Sequence, residues 1–125
     1  MNVVDSSAWL EYFADGPNAV FFAPAIENID ELLVPSITVL EVFKRVLQQR
    51  GEGEALQAIA LLRQGRIVDL DTAIAMSAAQ LGLEHKIPLA DSVILATARA
   101  HNAVVWTQDA DFKKIDGVKF KAKRG

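Results

Sequence analysis

The sequence predicts an α/β fold, a three-layer α/β/α arrangement around a mostly parallel central sheet of four to five strands. Short apolar runs rich in β-branched residues, typical of buried strands, alternate with longer segments of helical spacing. The length of 125 residues suits one compact domain, residues 1–125. Strands that alternate with helices are joined by right-handed crossovers, which make the sheet parallel and place helices on both faces.

The predicted strands are four short apolar runs and a weaker fifth, at residues 2–4, 32–34, 66–68, 103–106 and 118–120. The predicted helices are residues 7–13, 18–28, 37–50, 52–64, 72–85 and 89–101. Gly51 and Gly53 bracket a turn between two helices, and Ser36 after Pro35 offers a helix cap. Pro24 either kinks its helix or divides it into two pieces.

The composition excludes several classes of protein. The chain has no cysteine, which excludes disulfides, zinc–thiolate sites and thiol nucleophiles and agrees with a reducing cytoplasm, the expected location. Its apolar runs are broken by charge well short of a membrane span, and no basic leader region precedes an apolar stretch at Met1. We therefore expect a cytoplasmic protein with no membrane partner.

Charge is distributed unevenly along the chain. The net charge is −3, but residues 113–125 carry +5 and the remainder carries −8. The basic tail could bind a phosphate backbone while the acidic remainder of the chain binds cations. The alternative, a solvated and frayed C-terminus, stays open.

Four aspartates fall at positions that a parallel sheet brings together. Asp5 follows the first strand, Asp109 and Asp111 follow the strand that ends at Trp106, and Asp91 lies in the first turns of a helix. The carboxyl ends of parallel strands and the helices that follow them share one edge of the sheet. A pocket of carboxylates and hydroxyls suits a hard cation such as Mg²⁺ or Mn²⁺.

Each acid also has an explanation without a metal. Asp5 is a favoured helix cap, and Asp109 and Asp111 are typical of a turn with Asx hydrogen bonds. Asp91 is harder to explain, because its helix is apolar nearly all round and therefore largely buried. A buried carboxylate needs a partner, and a metal ion would supply one.

Periodicity alone makes Glu41 an ordinary surface residue. It lies near Lys44 and Arg45, on the arc opposite the apolar residues of its helix. Those apolar residues are Val39, Leu40, Val42, Phe43, Val46 and Leu47.

Taken in order, these residues resemble the PIN domain over almost the whole chain. The matching motifs are Asp5-Ser6-Ser7-Ala8, Glu41 in Ser36-Ile37-Thr38-Val39-Leu40-Glu41, and Thr107-Gln108-Asp109-Ala110-Asp111-Phe112. The most specific stretch, residues 87–109 with Asp91, is similar to the VapC-type toxin branch.

The resemblance implies roles for these residues. The four acids of the site would be Asp5, Glu41, Asp91 and Asp109, with the three aspartates as metal ligands. Glu41 would hold a second ion or orient the attacking water, on a helix tilted so that its polar arc overlooks the sheet edge. Asp111 would be an auxiliary acid or a substitute for Asp109, and Thr107 and Ser6 would line the site.

The resemblance also implies an activity and partners. The protein would be a Mg²⁺- or Mn²⁺-dependent endoribonuclease that leaves a 5′-phosphate and a 3′-hydroxyl. It would be the toxin of a type II toxin–antitoxin pair, with an antitoxin that blocks its site, and it would form a homodimer. The alternatives are a PIN nuclease of RNA processing without an antitoxin, or a non-catalytic binding module on the same fold.

Two other classes fit the motifs less well. A phosphate-signalling receiver needs an acidic pair after the first strand, and an aspartate-nucleophile phosphatase needs an acid two places after Asp5, where Ser7 stands. The aromatic residues of the N-terminal helices indicate either core or an interface. They are Trp9, Tyr12, Phe13, Phe21 and Phe22.

Overall fold

The computed structural model describes residues 1–124, so Gly125 at the end of the basic tail lies outside the described residues. Five strands form one parallel sheet in the order β3-β2-β1-β4-β5. The strands are β1 (Asn2–Val4), β2 (Leu32–Pro35), β3 (Arg66–Val68), β4 (Val104–Thr107) and β5 (Val118–Phe120). The predicted parallel sheet, with its weak fifth strand, is confirmed.

Six α-helices connect the strands. They are α1 (Ser6–Phe13), α2 (Ala19–Glu27), α3 (Ser36–Arg50), α4 (Glu52–Leu62), α5 (Thr72–His85) and α6 (Leu89–Ala100). Two short 3₁₀ helices, Ile29–Glu31 and Ala110–Phe112, precede β2 and follow β4. The predicted helices are confirmed, with ends shifted by at most two residues.

The two faces of the sheet carry separate cores because successive strand side chains point in opposite directions. Val4, Leu32 and Val34 pack under α1 to α4, together with Trp9 and Phe22. On the other face, the strand residues Val3, Leu33 and Val105 pack against Ile94 and Leu95 of helix α6. This is the predicted three-layer α/β/α arrangement. The aromatic residues belong mainly to the first core, since Trp9 and Phe22 are 0% exposed.

The structure resolves the open question at Pro24, which lies inside a single helix, α2. The predicted cap at Ser36 is wrong. Ser36 is the first residue of α3, Pro35 occupies the cap position without a side-chain hydrogen bond, and the Ser36 hydroxyl accepts from the Leu70 amide at 3.3 Å. Gly51 makes the turn with φ of 88°, whereas Gly53 lies within α4.

Two further expectations need correction. Leu40 and Leu47, assigned to the apolar side of α3, are 59% and 41% exposed. The buried residues of this helix are Thr38, Val42 and Val46. The basic tail is not frayed throughout. Strand β5 lies at its middle, and the Lys121 amide continues the sheet by donating to the Thr107 carbonyl at 3.0 Å.

Candidate metal-binding active site

Asp5 lies at the end of β1 and caps helix α1. Its carboxylate accepts hydrogen bonds from the Ala8 amide at 3.0 Å, the Ser7 hydroxyl at 2.8 Å and the Thr107 hydroxyl at 2.7 Å. Burial raises the pKa of Asp5 from its ordinary value of 3.8 to about 6, and the hydrogen bonds oppose this rise. Asp5 is therefore a cap, as the simpler explanation predicted, and also a buried acid beside Thr107.

Asp91 is the third residue of α6, close to the positive end of the helix dipole. Residues 92–98 of this helix are all buried, as the apolar pattern predicted. The pKa of Asp91 is raised from 3.8 to about 7, first by burial and then by the negative charges of Asp109, Asp5, Asp111 and Glu41. Five carboxylates thus converge at the carboxyl edge of the sheet.

The acid loop, residues 107–111, carries two of these groups. Its first residue, Thr107, is fully buried and accepts from the Asp109 amide at 2.8 Å while donating to Asp5. The Asp109 carboxylate accepts from the Asp111 amide at 2.9 Å and caps the 3₁₀ helix that follows. The Asx turn predicted as the simpler alternative is therefore present, but it leaves both carboxylates facing the same space as Asp91.

Glu41 is held at the site by Ser6. The Ser6 hydroxyl donates to the Glu41 carboxylate at 2.6 Å, which joins the start of α1 to the polar side of α3. Glu41 is half-buried, so it is not the ordinary surface residue that helical periodicity indicated. Its hydrogen bond with Ser6 explains the difference, because that bond holds Glu41 against the start of α1.

A divalent cation fits this set of donors. One carboxylate oxygen from each of Asp91, Asp109 and Asp111 lies within 4.8 Å of the others. Within residues 1–124 no ion pair neutralises any of the five acids. Clustered oxygen donors with excess negative charge are the ligands that Mg²⁺ and Mn²⁺ prefer.

Asp5 is not one of these three acids, and its carboxylate accepts three hydrogen bonds instead. Its predicted role as a metal ligand stays a prediction, as do the other individual roles. Sequence reasoning missed Asn18 and Gln108, which are both buried and joined by a hydrogen bond of 3.0 Å behind the acid loop. Gln108 lies within the Thr107 to Phe112 motif but carries no charge that marked it as part of the site, and Asn18 belongs to no motif.

The raised pKa values predict how pH affects the metal-free fold. Between about pH 4 and pH 7 the folded protein holds protons on Asp5 and Asp91 that the unfolded chain releases. This contribution to stability is fully present below about pH 4 and is lost as the pH rises through 6 and 7. Urea titrations in EDTA should show the free energy of unfolding fall from pH 5 to about pH 7.5.

Excess Mn²⁺ should reverse this trend, because ionised carboxylates bind the cation. The free energy of unfolding with Mn²⁺ should then increase over the same pH range. A metal-free protein that becomes more stable from pH 5 to about pH 7.5 would contradict the burial and mutual repulsion of these acids.

Comparison with known proteins agrees with this geometry. Residues 3–118 match the PIN domain. A sequence search of curated proteins finds no match to the chain. None of the described helices, within residues 1–124, is long and apolar enough to cross a membrane.

Solved structures share the fold over nearly the full length. A toxin–antitoxin complex from Klebsiella pneumoniae is similar at a TM-score of 0.77 and 24% identity, covering 95% of this chain and 96% of that one. FitAcB from Neisseria gonorrhoeae is similar at 0.73 and 25%, covering 97% of each chain.

VapC20 from Mycobacterium tuberculosis, described as a sarcin-ricin loop cleaving toxin, is similar at a TM-score of 0.78 and 15% identity, covering 94% of this chain and 97% of that one. These likenesses agree with the five-stranded parallel sheet and with the family match. Because that match spans residues 3–118, the chain belongs to the PIN domain family of nucleases.

Proposed function

We propose that the protein is a Mg²⁺- or Mn²⁺-dependent endoribonuclease and the toxin of a toxin–antitoxin pair. The observation that carries the nuclease proposal is the gathering of five carboxylates without a neutralising basic group in residues 1–124. Such a cluster is unfavourable without cations and becomes favourable when they bind. The similar structures include a toxin–antitoxin complex, which supports the toxin assignment.

Each side chain of the site has its own role in the proposed reaction. Asp91, Asp109 and Asp5 would hold the cation directly or through water, and Asp111 would assist them. When bound, the cation would supply positive charge that neutralises the scissile phosphate and lowers the pKa of an attacking water. Glu41, oriented by Ser6, accepts a proton from that water or holds a second ion. Thr107 fixes the position of Asp5 relative to Asp109, because its hydroxyl donates to the Asp5 carboxylate and accepts from the Asp109 amide.

The proposed antitoxin has a suitable apolar surface on this chain. A groove of about 220 Å³ runs between α1, α3 and α4. Leu10, Phe13, Val46 and Leu61 contribute its apolar lining, and Arg50 and Glu54 lie at its polar side. This combination suits the apolar face of an amphipathic segment from a partner protein.

A separate surface supports the proposed homodimer. Met76 and Leu83 on α5 and Leu89 at the start of α6 are 65%, 83% and 84% exposed. Large exposed apolar side chains on neighbouring helices are typical of a surface covered in an assembly. The groove and this surface involve different helices, so one chain has room for both contacts.

Location in the cytoplasm stays a prediction.

Removal of the metal gives the direct test of the activity. Purified protein should cleave RNA with Mg²⁺ or Mn²⁺ and lose the activity in EDTA, because the acids alone cannot neutralise the phosphate. Sequencing the cleavage ends should locate the cut and show a 5′-phosphate on the downstream product. Cleavage that persists in EDTA would contradict the proposal. If Mn²⁺ raises the melting temperature but no RNA is cut, the site binds metal and the nuclease proposal is wrong.

The basic end of the chain, residues 121–124, is proposed to contact the RNA backbone. Lys121, Lys123 and Arg124 are exposed. Replacing all three by Gln should lower the slope of log Kd against log salt by about 2, at roughly 0.7 per lost phosphate contact with single-stranded RNA. The Gln variants keep the backbone hydrogen bond of Lys121, whereas deletion of residues 119–125 would also remove part of β5.

Arg63→Gln with Arg66→Gln is the matched control, since both exposed arginines lie near the start of β3, at the opposite edge of the sheet. RNA binding is measured without turnover, in the Asp91→Asn background. An unchanged salt slope in the triple variant, or an equal change in the control, would show that the basic end does not touch the backbone.

A further inference from the structure

Asn18 has a side chain that is diverted from its usual role. It occupies the cap position of α2, where asparagine ordinarily accepts a hydrogen bond from the first turn of the helix. Here the side chain makes no capping bond, and it is only 1% exposed. Its Oδ1 atom is buried without a hydrogen-bond partner among the described residues, so the hydrogen bonds of this side chain are those donated by Nδ2.

The two donors of the Asn18 amide join two distant segments. One hydrogen bond reaches the Gln108 side-chain oxygen at 3.0 Å, and the other reaches the Ala122 carbonyl at 3.0 Å. Gln108 stands in the acid loop between Thr107 and Asp109, and its own amide donates to the Ser7 carbonyl at 3.4 Å. Ala122 belongs to the basic end. One side chain therefore connects the acids to the basic residues proposed to hold RNA.

The backbone that carries Asn18 is itself held in place. The Asn18 amide nitrogen donates to the Glu11 carboxylate at 2.8 Å. The same carboxylate covers Gly16 so closely that a Cβ at position 16 would collide with the Glu11 side chain. Helix α1, which begins at the Asp5 cap, thus holds the turn that presents Asn18.

We propose that Asn18 is a positioning residue, which fixes the acid loop for metal binding and holds the basic end of the chain beside it. It touches neither metal nor substrate. Its effect on the loop acts through Gln108, and its effect on the basic end acts through the Ala122 carbonyl. The consequence for RNA rests on the proposed function, whereas the consequence for loop order and cation affinity does not.

Three backbone amides with known acceptors report the effect. The Asp109 and Asp111 amides are bonded within the acid loop, and the Lys121 amide is bonded to the Thr107 carbonyl. In Asn18→Ala we expect hydrogen exchange of all three to rise about tenfold, because each segment loses a buried tether. The Ile74 amide donates to the Asp71 carboxylate at the start of α5, outside both tethered segments, and its exchange should be unchanged.

Cation affinity separates positioning from a merely structural role. The Mn²⁺ concentration at half-saturation of the folded protein, measured by isothermal titration, should rise by about fivefold in Asn18→Ala, because a looser acid loop must be ordered on binding. A structural effect alone would lower the melting temperature without moving this midpoint. Asn28→Ala, an exposed asparagine at the other end of α2, is the matched control and should leave both readouts unchanged.

Asn18→Asp tests the two tethers separately. Gln108 can turn its amide to donate to an aspartate, in exchange for its long donation to the Ser7 carbonyl, but the Ala122 carbonyl is left without a donor. Exchange should therefore rise at Lys121 and stay near the wild-type rate at Asp111. If Asn18→Ala does not fold, Gln108→Leu removes the same loop tether with little change of volume and should raise exchange at Asp109 and Asp111.

Exchange at Asp109 and Asp111 within about twofold of wild type, in Asn18→Ala or in Gln108→Leu, overturns the proposal. An unchanged Mn²⁺ midpoint in a folded Asn18→Ala overturns it as well. Neither readout requires RNA cleavage. Failure of the nuclease proposal, which would appear as wild-type protein that binds Mn²⁺ and cuts nothing, is therefore distinguished from failure of this one.

Discussion

Replacing Asp91 by Asn is expected to reduce Mg²⁺-dependent RNA cleavage by about 10³-fold or more while the protein remains folded. Asp91 is the acid on which the other four charges act, so its carboxylate lies at the centre of the cluster. Asparagine preserves its volume and removes one unit of negative charge, which lowers cation affinity. Single-turnover cleavage across a Mn²⁺ titration measures the loss.

The same substitution should stabilise the metal-free protein. At about pH 8 wild-type Asp91 is ionised against four neighbouring carboxylates, and the neutral amide removes that repulsion. We expect a melting temperature in EDTA higher by about 4 °C, which corresponds to roughly 1 kcal/mol in a domain of this size. At pH 5 the gain should nearly vanish, because Asp91 is already protonated.

Asp30→Asn is the matched control, an identical change at an exposed position just before β2, at the opposite edge of the sheet. It should alter neither cleavage nor the pH dependence. Wild-type turnover in Asp91→Asn would refute the site assignment. A large drop in metal-free stability would instead identify Asp91 as a residue that stabilises the fold.

The parallel sheet explains why much of the candidate site could be predicted. Asp5, Asp109 and Asp111 follow strands, and the ends of parallel strands meet at one edge whatever the loops do. Asp91 could be placed because its helix is apolar on nearly every side, so its carboxylate had to be partly buried. These predictions needed only element order and burial.

Glu41 shows where that reasoning stops. Its position depends on how α3 tilts against α1, and the hydrophobic pattern of one helix does not specify tilt. The exposure of Leu40 shows the same limit, since this apolar residue faces outward beside a half-buried glutamate. Only the family resemblance pointed to Glu41. Neither the residue pattern nor the family resemblance indicated Asn18, because its partners Gln108 and Ala122 lie 90 and 104 positions away in the sequence.

The second large effect is expected at Asp109, and it separates the two acids of the acid loop. Asp109 is half-buried, and its amide is bonded to the fully buried Thr107 hydroxyl, so its carboxylate is held by the end of β4. Asp111 is exposed on the 3₁₀ turn that follows. A ligand held by the sheet keeps tighter geometry than one held by a turn.

We therefore expect Asp109→Asn to lower single-turnover cleavage by about 10²-fold or more and Asp111→Asn by about tenfold, with Mn²⁺ partly restoring the second variant. Asparagine at position 109 can still accept from the Asp111 amide, so the loss reports charge and not the cap. Asp109→Ala removes both the charge and the hydrogen bond that caps the 3₁₀ helix. The difference in cleavage rate between Asp109→Ala and Asp109→Asn therefore measures the contribution of the cap. If Asp111→Asn is inactive while added metal rescues Asp109→Asn, the order of these two acids is reversed, because the exposed turn then holds the cation more tightly than the strand end.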